Sequence, residues 1–448
     1  MRQVSTMQHH ALPENYDVVI EGTGLPEAIF AAACAWSGKK VFHLDPLPFY
    51  GGCWTALNLD EIRSLSNTTE DDSPLKRQYK YLDLSIPEPD QLPPSRSCSI
   101  DLSPRLLYCR SEMIDLLVST KMSQYLEFIA LGDFWLYTDR GFLKVPSGRE
   151  DIFASKDLDL STKRKTMKFL KFVLAYDEEE NYEMYHEYAE KPLSTLLSAF
   201  NLTTDFTDSL IHVLASSADK SISTSVGLVR IRNHLSSLSV YGSFPCLLPT
   251  YGGGCELSQA FCRAAAVKGA VYMLNATLNG PYLSNGDRIS YQHHFRGVNQ
   301  GLVSFRVLLV KAQIEKLPFS RDGSVVVFPP DSMGNKNAIT VRVHGSGTCE
   351  CPKGYFNVYI STKGDQIDAF DSVVKEILQK AEDHSVLLAF TYIQGCNAND
   401  DTIAVPIVNN LESPTYDDAI SEAKRLYAKV FGEHNSFFKV EATENESS

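Results

Sequence analysis

The chain has 448 residues, is 44% hydrophobic and carries a net charge of −13 with a pI near 5.4. That length allows two domains and a sizeable core. The acidic balance excludes a nucleic-acid binder, because such a surface repels phosphates instead of releasing their counterions, and it suits a basic protein partner better.

Ten cysteines are scattered along the chain, and the opening MRQVSTMQHHALPENYD lacks the apolar core of a signal peptide, so the cytosol is the expected compartment. The best apolar run, LPEAIFAAACAW, falls short of the ~18 residues a membrane span needs and contains Glu27. Cys349 and Cys351 form an isolated C-x-C pair without a second pair at ligand spacing, so no metal is expected. The ending EATENESS carries no cysteine box for prenylation of this chain.

In chain order, Tyr16–Ile20 reads as a β-branched strand, Gly22-Thr23-Gly24 as a turn, Pro26 to Ser37 as a helix and Lys39–Asp45 as a second strand. Together they make a βαβ unit with a right-handed parallel crossover. Leu65 to Ser99, rich in Ser, Asp and Pro, reads as a polar surface insertion. Leu106–Leu131 and Thr162–Ala215 show helical spacing, with Leu116, Leu117, Tyr125, Leu126, Phe169, Leu170, Val173 and Leu174 as apolar positions. Between them Asp133–Tyr137 and Gly141–Val145 flank an Asp-Arg turn, a predicted hairpin. Strands and glycine turns return after Leu238 and run to the strand Val386–Phe390, and Asp417–Phe431 closes the pattern as a helix.

The glycine turn carries the sharpest chemistry. In a dinucleotide site the glycines admit a tight turn and close approach to the pyrophosphate, and an acidic residue after the next strand takes the ribose hydroxyls. Gly22 and Gly24 hold the first two glycine positions, and Asp45 ends the next strand. The third position is Glu27, a carboxylate in the first helical turn, where the positive end of the helix would face the pyrophosphate. Two like charges ~4 Å apart at an effective dielectric of ~20 repel by about 4 kcal/mol, so FAD is not expected, and Glu27 is free to cap its own helix. The other reading is a bound FAD with Glu27 turned outward, in a flavin-dependent oxidoreductase.

Two blocks carry a family resemblance: LPENYDVVIEGTGLPEAIFAAACAWSGKKVFHLDPLPFYGGCW at 12–54 and YGSFPCLLPTYGGGCELSQAFCRAAAVKGAVYML at 241–274. They resemble the Rab escort and Rab GDP-dissociation inhibitor family, with fainter similarity through most of the chain. Trp54 after Tyr50-Gly51-Gly52, and VPSGREDIFASKDL leading into KRKTMKFLKFVL, resemble the escort branch. The resemblance implies an α/β, FAD/NAD(P)-binding-like, GDI-like multisheet domain at 1–105 plus 216–448. It also implies a mainly helical second domain at 106–215.

The resemblance further implies a non-catalytic accessory subunit that binds Rab GTPases in the GDP form. Such a subunit presents them to the geranylgeranyltransferase heterodimer, shields the attached geranylgeranyl lipid and touches membranes transiently. The alternative within the family is an inhibitor that recycles prenylated Rabs. Tyr50, Glu256, Gln259, Arg263 and Met273 match the Rab-gripping positions, although Cys255 is an added residue and Ser258 stands where proline is usual. The residue types alone also allow Glu256 and Arg263 simply to pair, two helical turns apart. Phe169, Leu170 and Val173 lie on a helix apolar on more than one face, which fits either lipid contact or plain burial. Leu202–Ser217 is a candidate docking region for the transferase.

Overall fold

The computed structural model describes residues 15–67, 75–76, 79–146, 151–152, 159–312, 322–379, 381, 383–395, 404–432 and 436–438. The expectations drawn from both chain ends and from most of VPSGREDIFASKDL fall outside these residues.

β1 (Asn15–Glu21), α1 (Leu25–Trp36) and β2 (Val41–Asp45) form the expected βαβ unit. Gly22 turns the chain from strand to helix with φ of 97°, a conformation that glycine adopts freely. The polar insertion expected over 65–99 needs correction, because it contributes β3 (Tyr79–Ser85), the edge strand of the larger sheet. Tyr79 lies opposite Gln394 and Tyr81 opposite Ile393, so Lys80 is an extra residue. This bulge breaks the two-residue alternation by which a strand is read from sequence.

The helical reading of Leu106–Leu131 is also corrected. The segment holds β4 (Leu107–Tyr108), α2 (Glu112–Ser119) and β5 (Phe128–Leu131). Leu116 and Leu117 lie on α2, but Lys121, at φ 60°, stands between that helix and the 3₁₀ turn Met122–Tyr125 that carries Tyr125. β6 (Asp133–Thr138) and β7 (Gly141–Lys144) are the predicted hairpin.

Further along come α3 (Leu160–Leu174), α4 (Tyr182–Tyr188), α5 (Leu193–Ala199) and α6 (Thr204–Asp208). They run into a π-helical turn at Ser209–Leu214, and then comes α7 (Thr224–Ser237). Their buried Phe169, Val173, Leu196, Ile211 and Leu228 share one apolar cluster. The helical packing thus takes in α7, beyond residue 215, and leaves out α2. Met113 and Leu117 of α2 pack into the α/β core, and the Met113 amide donates to Asp417 Oδ1 at 3.0 Å. Helical spacing reports that a segment is a helix, not which neighbour will cover it.

The remainder comprises β8 (Cys246–Pro249), α8 (Gly254–Val267), β9 (Val271–Leu274), β10 (Ser290–Gln300) and β11 (Val303–Lys311). Then come β12 (Gly323–Phe328), β13 (Ile339–His344), β14 (Tyr355–Lys363), α9 (Phe370–Leu378), β15 (Ser385–Gln394), β16 (Val405–Asn410) and α10 (Asp417–Phe431).

A parallel sheet in the order β9-β2-β1-β10-β16 forms the nucleotide-fold half. The small side chains of α1 let both α8 and α10 pack against it. The larger sheet runs β3-β15-β11-β14-β13-β12-β6-β7, antiparallel except where β6 meets β12. α9 covers one of its faces through Phe370, Val373 and Ile377, against Val326, Val341 and Ile360. The opposite face turns Val325 and Val327 to the helical cluster and Phe305 and Val307 to the α/β core. Among the described residues no helix is long and apolar enough to cross a membrane.

Candidate functional site

The glycine turn after β1 is filled by the chain itself. Glu27 is 1% exposed, and its Oε1 accepts from Asn409 Nδ2 at 2.6 Å, across on β16. Asn409 Oδ1 accepts from Trp54 Nε1 at 2.7 Å, and the Arg105 guanidinium lies 4.2 Å over the Trp54 ring. A Cβ added at Gly24 would stand 2.5 Å from Glu27 Oε2, and one at Gly297 of β10 would stand 1.9 Å from Oε1. The glycines keep their cradle, but a carboxyl of this chain lies in it.

The expected charge repulsion is therefore revised. Burial pushes the Glu27 carboxyl up to about 8, against the opposing pull of the Asn409 hydrogen bond, so near neutral pH it is mostly protonated. What obstructs a phosphate here is volume rather than charge. Glu27 Oε2 has no hydrogen-bond partner among the described residues and α1 carries no side-chain cap, so the expected capping by Glu27 is not formed.

Asp45 is equally committed. Its Oδ2 accepts from the Thr23 amide and hydroxyl, both at 2.7 Å, and its Oδ1 from the Leu47 amide at 2.8 Å. Thr23 Oγ1 in turn accepts from the Gly51 amide at 2.9 Å. The carboxylate that would take ribose hydroxyls ties the two glycine turns together instead. Residues arranged this way do not fit a dinucleotide.

An open cleft of about 320 Å³ lies nearby, lined by Tyr50, Tyr125, Glu256, Gln259, Arg263 and Tyr272, among others. Glu256, Gln259 and Arg263 share a face of α8 because they are spaced by three and four residues. Tyr50 comes from the loop after β2. The added residue Cys255 joins the two elements, since its Sγ lies 3.7 Å from the Tyr50 carbonyl oxygen and accepts from Gln259 Nε2 at 3.2 Å. Ser258, where proline was expected, is buried and donates its hydroxyl to the Gly254 carbonyl at 3.2 Å.

Glu256 and Arg263 do not pair with each other among the described residues. The Arg263 guanidinium lies 4.5 Å over the Tyr125 ring, and Glu256 is half-buried, which raises its carboxyl above the ordinary range. Met273 is not brought into the cleft. On β9 it stands opposite Leu44 and packs with Val19 and Phe42, while Tyr272, one residue earlier, faces the other way and lies 5.8 Å from the Tyr50 ring. Successive strand residues alternate between faces, so a shift of one position exchanges them.

Residues 12–290 match the family described as GDP dissociation inhibitor, well over half of the chain. The chain belongs to that family. It is 31% identical over 460 residues to a Schizosaccharomyces pombe protein named an uncharacterized Rab geranylgeranyltransferase, covering 96% of this chain and 98% of that one. It is 33% identical over 374 residues to Rab proteins geranylgeranyltransferase component A of Saccharomyces cerevisiae. That match takes in 78% of this chain but 62% of the relative, less than two thirds of its length. Among solved structures, a RAB GDI from Plasmodium falciparum superposes with a TM-score of 0.73 at 19% identity, covering 95% of this chain and 100% of that one, which shows the shared fold.

The family's other expected contacts lie elsewhere. Phe169, Leu170 and Val173 are all buried in the helical cluster, with Phe169 edge-on to Phe200 at 5.2 Å. Plain burial describes them as they stand. Leu160 and Leu174 are the exposed apolar residues of α3. Tyr125 and Tyr272 were missed by sequence reasoning. Tyr125, with its neighbour Leu126, is distant in sequence from the rest of the cleft and gives no signal, whereas Tyr272 was reachable from Met273 by strand alternation.

Proposed function

We propose that this chain is an escort protein for Rab GTPases, which binds them in the GDP form through the Tyr50–Glu256–Gln259–Arg263 cleft. It then presents their cysteine-bearing tails to a geranylgeranyltransferase heterodimer and shields the attached lipid until delivery at a membrane. The observation that carries this reading is the convergence of four residues from two separate elements on one open cleft, in a family whose relatives bear the transferase component A name.

The chemistry of the cleft suits a protein partner. Tyr50, Tyr125, Tyr272 and Arg263 offer planar groups of the kind that dominate binding energy at interfaces, and the half-buried Glu256 offers an acceptor for a partner's N–H or cation. We infer that the chain itself contributes no catalytic group and holds no FAD, since Glu27 and Asp45 are used up internally. The α3–α7 helices are assigned to lipid shielding and transferase docking, and the α/β part to Rab binding. The work is done in the cytosol, with transient membrane contact.

An inhibitor that recycles prenylated Rabs is the second reading, favoured by the family description itself. The test is prenylation of an unmodified Rab by the transferase heterodimer and geranylgeranyl diphosphate, with and without this protein. Stimulation by a colourless preparation supports the escort role. Failure to stimulate, with extraction of prenylated Rab intact, supports the inhibitor, and a flavin absorbance spectrum overturns both.

A further inference from the structure

The cleft residues differ in what holds them before a partner arrives. Gln259 donates to the Cys255 thiol at 3.2 Å, and the Tyr50 ring stands edge-on to Tyr272, 5.8 Å away. Arg263 lies in the C-terminal half of α8, exposed, and among the described residues no carboxylate pairs with it. A free arginine samples many rotamers, and freezing them when a partner binds costs affinity.

The contact that orders Arg263 comes from Tyr125, whose ring lies 4.5 Å under the guanidinium. Tyr125 is 52% exposed, yet the 3₁₀ turn that carries it is fixed on both sides. On one side Lys121 turns the chain in the left-handed region, at φ 60°, and Met122 is buried in the α/β core. On the other, Leu126 packs against the same core, and the Glu127 carbonyl accepts from the Thr250 amide at 3.0 Å and from the Thr250 hydroxyl at 3.2 Å. Thr250 follows β8 and begins the turn into α8, so the segment bearing Tyr125 is tied to the element bearing Arg263.

A cation over a ring is drawn to the negative π face, which at an exposed site favours one orientation by about twofold to fivefold. An ion pair would consume the N–H donors of the guanidinium. The ring holds the charge and accepts no conventional hydrogen bond, which leaves those donors to a partner. The planar group at this end of the cleft is thus the Arg263–Tyr125 pair, with the ring behind the guanidinium.

We propose, on the Rab-binding reading of the cleft, that Tyr125 is a positioning residue whose effect on affinity runs through Arg263. The test is calorimetric titration of the full chain with a GDP-loaded Rab, using Tyr125→Phe, Tyr125→Leu, Arg263→Ala and the Tyr125→Leu/Arg263→Ala double variant, each with its own unfolding curve. Tyr125→Leu, which keeps an apolar side chain but no π face, should weaken binding about threefold, and Tyr125→Phe should keep wild-type affinity. In the Arg263→Ala background Tyr125→Leu should change nothing further. Unchanged affinity in Tyr125→Leu, or equal losses in Tyr125→Phe and Tyr125→Leu, overturns the proposal. So does a loss that persists in the Arg263→Ala background, because the ring would then touch the GTPase itself, and so does a loss that tracks a lowered unfolding midpoint. Wild-type affinity in Arg263→Ala, or no binding by the unaltered chain, takes down the cleft reading and the proposal with it, so the two failures are told apart.

Discussion

Two glycine turns in this molecule are built alike and finish differently. Gly22-Thr23-Gly24 leads β1 into α1, and Gly252-Gly253-Gly254 leads from β8 toward α8, and the two helices pack against each other. At the first turn the polar groups are taken up inside the chain, Glu27 by Asn409 and Asp45 by Thr23 and Leu47. At the second, Gln259 and Arg263 project from the helix into an open cleft, and Glu256 is half-buried without an ionic partner among the described residues. A nucleotide-binding scaffold can thus lose its ligand by filling the cradle with its own side chains, while a sister helix becomes the surface that meets a partner.

The largest effect is expected where the open turn is broken. Gly253 has φ of 57°, and a Cβ there would stand 1.9 Å from Asp101 Oδ2. Backbone strain and overpacking together make Gly253→Ala cost about 4 kcal/mol. Chemical denaturation should show this loss, with binding lost alongside because the start of α8 is displaced. A variant of wild-type stability would mean that the turn is not held as described.

The closed turn should reveal itself through pH. The Glu27 carboxyl moves from its ordinary 4.5 to about 8 on folding, so between these values the native state holds a proton that the unfolded state has released. The contribution is complete below the lower value, falls as pH rises through the window and levels off above about 8. Asp101, also pushed up to about 8 by burial, acts in the same direction. Glu27→Gln, which stays neutral, should therefore flatten the dependence without abolishing it. Its advantage over wild type should grow from pH 5 to pH 8 to a few kcal/mol at most, at about 1.4 kcal/mol per pKa unit. Parallel stability profiles for the two proteins would mean that Glu27 is ionised in the native state.

Smaller effects are expected on binding. Glu256→Ala and Arg263→Ala should each weaken Rab-GDP binding about tenfold, roughly 1.4 kcal/mol, with the fold intact. Since the two residues do not pair, the double variant should be additive within about 0.5 kcal/mol. Unchanged affinity in both single variants would remove the cleft from the proposed interface, and strong coupling would restore the ion pair that the structure does not show.

How much of this was legible depended on distance along the chain. The βαβ unit, the hairpin and the closing helix were readable because each is decided by its own few residues. The α8 face was readable as a helix period, and Glu27 stood out as a carboxylate in a glycine position. Asn409, which makes Glu27 a neutral plug, lies far along the chain on β16, and nothing in the local pattern points to it. The same holds for Tyr125 under Arg263, and for β3, whose bulge erases its alternation.

The finest distinction concerns a single step in register. The resemblance placed Met273 at the interface, whereas on β9 it packs beside Leu44 and Phe42 and Tyr272 turns to the cleft. A strand cannot present both neighbours on one face without a bulge, and β9 pairs with β2 in unbroken register from Val271 to Leu274. Tyr272→Ala should therefore weaken Rab-GDP binding by about 1 kcal/mol, while Met273→Ala should stay within about 0.5 kcal/mol of wild type in affinity and lose stability instead. Calorimetric titration of both variants, each with its own unfolding curve, separates binding from folding. The reverse pattern would mean that β9 shifts by one residue when the partner binds, exchanging the faces of the strand.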